Sequence, residues 1–109
     1  MKGKPMRKAL VFFKGIPAGY LIEEERSGEY VFLYNPDYDG PGISLTMPAE
    51  RREYHFKGFP PFFDGLLPEG FQLEGLLKQK KIDRDDNFSQ LITVGSDLVG
   101  AVTVVEEKE

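Results

Sequence analysis

An α+β domain built on an antiparallel, curled sheet is the fold that this sequence predicts, and three observations carry the prediction. Short runs rich in Val, Ile, Phe and Tyr fill the first half of the chain, joined by Gly, Asn and Pro segments too short for crossover helices. Apolar residues at helical spacing are confined to the region between residues 70 and 95. A last β-branched run near the end then returns to a strand. Strands, then helices, then one strand reads as a meander of about four strands plus a C-terminal strand, with two helices between residues 70 and 95.

Each element has its own justification. Residues 9–13, Ala-Leu-Val-Phe-Phe, are continuously apolar, the pattern of a buried strand, which makes Phe12 a core candidate. Residues 16–24 put Ile16, Ala18, Tyr20 and Ile22 on one period-2 face, so Lys14-Gly15 is expected to turn a hairpin. Residues 29–34 give a third strand with Phe32 as a core candidate, and residues 43–47 alternate as a short fourth. Residues 50–61, charged and aromatic with Pro60-Pro61, read as a loop.

In the second half, Phe71, Leu73, Leu76 and Leu77 define a first helix over residues 71–81, with Lys78, Lys80 and Lys81 at the negative end of its dipole. A second helix over residues 85–94 has Asp85 or Asp86 for a cap, Phe88, Leu91 and Ile92 for an apolar face and Gly95 as its stop. Gly95 is expected in a left-handed conformation. Residues 101–105 form the last strand.

Length and charge set the outer limits. At 109 residues the chain makes a single domain, residues 1–109, able to bury roughly two-thirds of its unfolded surface. Without cysteine there is no disulfide framework and no thiolate metal site, which suits a reducing cytoplasm. A net charge of −4 argues against direct nucleic-acid binding, which rests on Lys and Arg neutralising phosphates. No apolar run approaches the length of a membrane span, so no membrane partner is expected and the protein is placed in the cytoplasm. The basic start, with Lys2, Lys4, Arg7 and Lys8, reads as a solvated leader.

Several chemistries fail on their own requirements. Residues 35–40 imitate the opening of a calcium loop, but the twelfth position is Thr46 rather than a bidentate glutamate. His55, the single histidine, has no serine motif to activate. Gly95 and Gly100 lack the spacing of a phosphate or dinucleotide loop, and no kinase signature occurs. No cofactor and no catalytic residue are expected; Asp64, Glu69 and Asp97 are the only plausible carboxylates for an enzyme, without a visible partner.

The segment from Phe56 to Phe71 remains. Phe56, Phe59, Phe62, Phe63 and Phe71 are interleaved there with Pro60, Pro61 and Pro68. Phe63, Leu66 and Leu67 are assigned to core packing. A proline-stiffened loop cannot tuck in every aromatic, and exposed aromatics rimmed by charge mark partner surfaces. Phe59, Phe62 and Phe71 are expected to point outward, and the partner-binding set is read as Phe59, Pro60, Phe62, Leu66, Pro68, Glu69 and Phe71.

Five features in order carry a family resemblance: Gly19-Tyr20-Leu21 in the early hairpin, Tyr-Val-Phe-Leu-Tyr at 30–34, Ile-Ser-Leu-Thr-Met-Pro at 43–48, Phe-Phe-Asp-Gly-Leu-Leu-Pro-Glu-Gly at 62–70, and Gly-Ser-Asp-Leu-Val-Gly-Ala-Val at 95–102. Together they resemble the N-terminal subdomain of HipA-type serine/threonine toxin kinases. The resemblance implies a non-catalytic α+β unit that packs on a kinase. Since no kinase body follows, it implies a stand-alone, HipS-like antitoxin whose partner is a HipA-like kinase lacking this subdomain, with a helix-turn-helix DNA-binding protein reached through that kinase. The alternatives are an architectural subunit that stabilises the kinase or bridges it to the DNA-binding partner without inhibiting it, and a fragment trimmed from a longer kinase.

Overall fold

The computed structural model of the chain describes residues 7–24, 28–98 and 100–107. Strand β1 (Arg7–Phe13) turns through Lys14-Gly15 into β2 (Ile16–Glu24), and β3 (Glu29–Tyr34) follows. After an irregular stretch come β4 (Glu53–Phe56), the short helix α1 (Pro61–Asp64), α2 (Gly70–Lys80), α3 (Asn87–Val94), one 3-10 turn (Gly95–Asp97) and β5 (Val102–Glu107). All neighbours in the five-stranded sheet, ordered β4-β3-β2-β1-β5, are antiparallel. Lys14 and Gly15 both have positive φ, 52° and 83°, as a two-residue hairpin turn matched to strand twist requires.

The fourth strand is not where alternation put it. Residues 43–47 instead make a turn closed by a Ser44–Met47 bridge. The Tyr34 hydroxyl, facing them from β3, donates to the Met47 carbonyl and accepts from Ile43 N at 2.9 Å. A side chain thereby takes backbone groups that a neighbouring strand would use. The true β4 lies inside the predicted loop, with Tyr54 and Phe56 packed toward the core and Glu53 and His55 facing away. Its period-2 pattern is present but carried by charge.

One apolar cluster forms beneath the helices. Ala9 and Val11 of β1, Ala18 and Leu21 of β2, Phe32 and Tyr34 of β3, and Val102 and Val104 of β5 meet Phe63 of α1 and Phe88 and Leu91 of α3. Phe13, not Phe12, is the β1 aromatic packed against this cluster. Phe12 has the opposite parity on β1 and is half-buried on the other face of the sheet.

The start of α3 is pinned electrostatically. Asp86 caps it, accepting from Ser89 N at 3.1 Å and from Ser89 Oγ at 2.7 Å. Arg7 grips Glu23 through two hydrogen bonds, 2.6 and 2.9 Å, reaches Asp86 at 3.0 Å and lies 4.7 Å above the Phe88 ring. Arg7 is therefore part of the fold rather than of a solvated leader; Lys2 and Lys4 lie outside the described residues. The Glu23 contact drives the Arg7 pKa still higher, and burial followed by a hydrogen bond to Glu23 raises the Tyr30 phenol. Burial alone would raise the Asp86 carboxyl, but hydrogen bonds from Arg7 and Ser89 outweigh it and hold it below its usual range.

Gly95 departs from the expected left-handed conformation. It is right-handed, φ −56°, and the αL cap belongs instead to Lys81 after α2, φ 57°. Gly95 is needed for space: a Cβ there would lie 1.9 Å from the Val104 carbonyl oxygen. The glycine is a close-approach point between the end of α3 and β5.

Candidate functional site

The segment after β4 turns back over the end of the sheet. Phe59 meets Tyr30 edge-on, ring centroids 5.2 Å apart, and Pro60 behind it is fully buried. Pro61 occupies the first helical position of α1, where its missing N–H is no loss. The single turn inserts Phe63 against Phe32 at 5.9 Å, while Phe62 lies edge-on to Phe63 at 5.2 Å. Successive backbone bonds from Asp64, Gly65, Leu66 and Leu67 to the carbonyls of residues 60, 61, 63 and 64 continue the coil.

The predicted partner-binding set therefore divides. Pro60 is a core residue, and Phe59, Phe62 and Leu66 are half-buried against the core, because edge-on ring contacts hold two of the three aromatics expected outward, Phe59 and Phe62, on the body. Pro68 is half-buried, and Glu69 and Phe71 are exposed. Phe71 stands out, with 97% of its surface open to solvent in the first turn of α2. Phe63 is buried, as expected of a core residue, and Leu66 and Leu67 pack on the same cluster.

Helix α2 has little hold on the rest of the molecule. It has no side-chain cap and buries no residue, and none of Leu73, Leu76 or Leu77 packs against the core cluster. Two contacts tie it to the loop that follows: Ile82 N donates to Leu77 O at 3.1 Å, and Arg84 pairs with Glu74 at 2.9 Å. Glu74, Gly75, Leu77, Lys78 and Arg84 line an open cleft of about 400 Å³ between the helix and the following loop.

Three exposed apolar side chains, Ile16, Leu45 and Val105, escaped the sequence reading. Leu45 is completely exposed at the tip of the turn that Tyr34 holds, and Ile16 projects beside the β1–β2 hairpin turn. The signal for Leu45 was present, an isolated leucine between Ser44 and Thr46 in a segment dense in Pro and Gly; strand-like alternation concealed it.

Among the described residues the three candidate carboxylates are not brought together. Asp64 at the end of α1, Glu69 just before α2 and Asp97 in the 3-10 turn are each exposed. His55 is bound to Glu53, its neighbour two positions back on the same strand. Among the described residues there is no group of three His, Cys, Asp or Glu side chains that could hold a metal ion. No helix among them is long and apolar enough to cross a membrane.

Residues 9–105 match the family described as the HipA N-terminal domain. An uncharacterised protein of Haemophilus influenzae is 36% identical over 104 residues, which cover 95% of this chain and 96% of that protein. A solved structure of the N-terminal domain of HipA toxin superposes with a TM-score of 0.75 at 32% identity, covering all of this chain and 99% of that one.

Proposed function

The chain belongs to the HipA N-terminal-domain family, the part of HipA-type proteins outside the kinase, and from that membership we propose that it is the non-catalytic regulatory partner, the antitoxin, of a HipA-like kinase. The observation that carries this reading is Phe71. A phenylalanine almost wholly in water, on a helix that contributes nothing to the core, is out of place unless something covers it. Glu69 and Phe71 are the anchor of the proposed contact, with half-buried Phe62, Leu66 and Pro68 forming its base. Phe59, edge-on to Tyr30, and buried Pro60 hold the start of this segment on the core.

Mechanistically, such a contact restrains a kinase by occupying or distorting the catalytic body from outside. Burying one aromatic in a partner pocket, inside a ring of near-neutral contacts, is the usual source of most of the affinity at an interface. The test mixes the purified chain with the HipA-like kinase that lacks this domain, and reads complex formation by size exclusion and autophosphorylation at saturation. A complex with reduced phosphoryl transfer is the expected result. Absence of a complex removes the reading, and a complex with undiminished transfer replaces it with an architectural role.

A further inference from the structure

The structure assigns a second docking surface, the face of the sheet away from α1 and α3, to an apolar surface of the same kinase rimmed by lysine and arginine; the assignment rests on the regulatory reading above. Strand register supplies the surface. Val105, Leu10, Tyr20 and Leu33 are successive partners across β5, β1, β2 and β3, giving one continuous apolar row, and Ile22 paired with Val31 adds a second. Directly opposed residues of antiparallel strands share a face. None of the six belongs to the cluster under the helices.

A sheet meant to face water on one side alternates apolar and polar residues, whereas strands apolar on both faces are covered on both. Strands β1, β2 and β3 are of the second kind, yet among the described residues α1 and α3 pack on one face only. Val31 is already buried, while Val105 at the edge strand is 46% exposed and Leu10, Tyr20, Ile22 and Leu33 are partly so. A contiguous apolar surface of this sort is a recognition surface.

The rim selects the occupant. Glu24 and Glu29 are paired at one end of this face, Glu53 lies across from Leu33 on β4, and Glu107 lies across from Lys8 on β5. Of these four carboxylates Glu53 is bound to His55 on the same face, and the lysines near the face among the described residues are Lys8, drawn over the Tyr20 ring at 5.9 Å, and Lys57 beside Glu24 and Glu29. Two copies meeting through this face would oppose acidic rims on chains of net charge −4 each. An apolar partner surface edged with Lys and Arg satisfies both the row and the rim.

The test compares Val105→Arg and Glu53→Lys with the wild-type chain, measuring affinity for the HipA-like kinase lacking this domain, thermal unfolding and oligomeric state. Val105→Arg is expected to weaken the complex by roughly tenfold or more at an unchanged melting temperature, the scale of a charge placed in a desolvated contact. Glu53→Lys is expected to weaken it about three- to tenfold and flatten its dependence on salt, as loss of a rim charge does. Should Val105→Arg fail to fold, Glu53→Lys alone decides. Wild-type affinity in the folded variants, with Phe71→Ala still impaired, overturns the second surface and leaves the regulatory reading standing. A wild-type chain that forms no complex overturns both. A wild-type dimer dissociated by Val105→Arg, with kinase affinity unaffected, gives the face to a second copy and overturns the assignment.

Discussion

Helices α2 and α3 are close neighbours in the chain and are built to opposite ends. Helix α3 is the shorter, yet it is capped by Asp86, pinned by Arg7 and buries Phe88, Gln90 and Leu91. Helix α2 has eleven residues, no side-chain cap, a glycine in its middle and no buried residue. Helical stability in proteins comes mainly from packing of an apolar face, and an isolated helix of this length is marginal in water. The contrast teaches that α3 belongs to the fold, whereas α2 is held out from it, with its most apolar first-turn residue turned to solvent.

The comparison breaks first, and by the largest margin, if α3 is dispensable. Phe88→Ala is expected to destabilise the chain by about 3 to 5 kcal/mol, the cost of emptying a fully buried aromatic site, and a melting temperature near that of the wild type refutes the role given to α3. Next comes Gly95→Ala, where the added methyl meets a backbone oxygen that cannot swing aside. The expected loss is about 2 kcal/mol or more, a steric effect of overpacking rather than of backbone conformation. Asparagine at position 95 separates the two causes: it tolerates left-handed backbone but keeps the clash, so it should be as damaging as alanine.

Phe71→Ala sharpens the comparison from the other side. Thermal stability should be unchanged, while kinase affinity falls by about 2 kcal/mol, the scale of an interface anchor. A drop in melting temperature comparable to that of Phe88→Ala would mean that α2 is packed after all. Asp86 offers a smaller effect with a sign. Its carboxyl is held below its ordinary range in the fold, so the stability it contributes is fully present above the unfolded value near 3.8 and is lost as pH falls through the lower, folded value. Asp86→Asn, keeping a capping side chain, is expected to lower stability at neutral pH by on the order of 1 kcal/mol, with the gap to the wild type closing below about pH 4. Chemical denaturation at pH 7 and pH 3 measures the closing.

What could be read from the sequence depended on whether local pattern and tertiary contact agreed. The first three strands, α3 and the last strand follow from apolar periodicity, which burial enforces; α2 shows the same periodicity in the sequence although it buries no residue. β4 was hidden because its outward residues, Glu53 and His55, and the arginines before it give the stretch a loop's composition. Residues 43–47 misled in the opposite sense: their alternation is real, but Tyr34, distant in sequence, satisfies their backbone. Within the candidate site Phe71 was legible as exposed, since a proline-stiffened segment cannot tuck in every aromatic. Phe59 and Phe62 were not, because only the fold brings Tyr30 and Phe63 to their ring edges. Nor did the charged start of the chain reveal Arg7 as a clamp, as its partners lie 16 and 79 positions away.

The smallest expected effect isolates the marginal helix itself. Gly75 sits in the middle of α2 at helical φ, and a Cβ built there meets nothing within 4 Å, so alanine is sterically free. Replacing a mid-helix glycine by alanine favours a helix by about 0.5 to 1 kcal/mol, chiefly by reducing the freedom of the unfolded backbone. If α2 opens on its own, as its lack of buried residues implies, Gly75→Ala should slow amide exchange in residues 74–80 several-fold while leaving exchange in α3 and the global melting temperature nearly unchanged. The same substitution should tighten kinase binding slightly, because part of the cost of ordering α2 in the complex is already met. A rise in global stability with no local change would show instead that α2 unfolds only with the rest, and the distinction between the two helices would have to be abandoned.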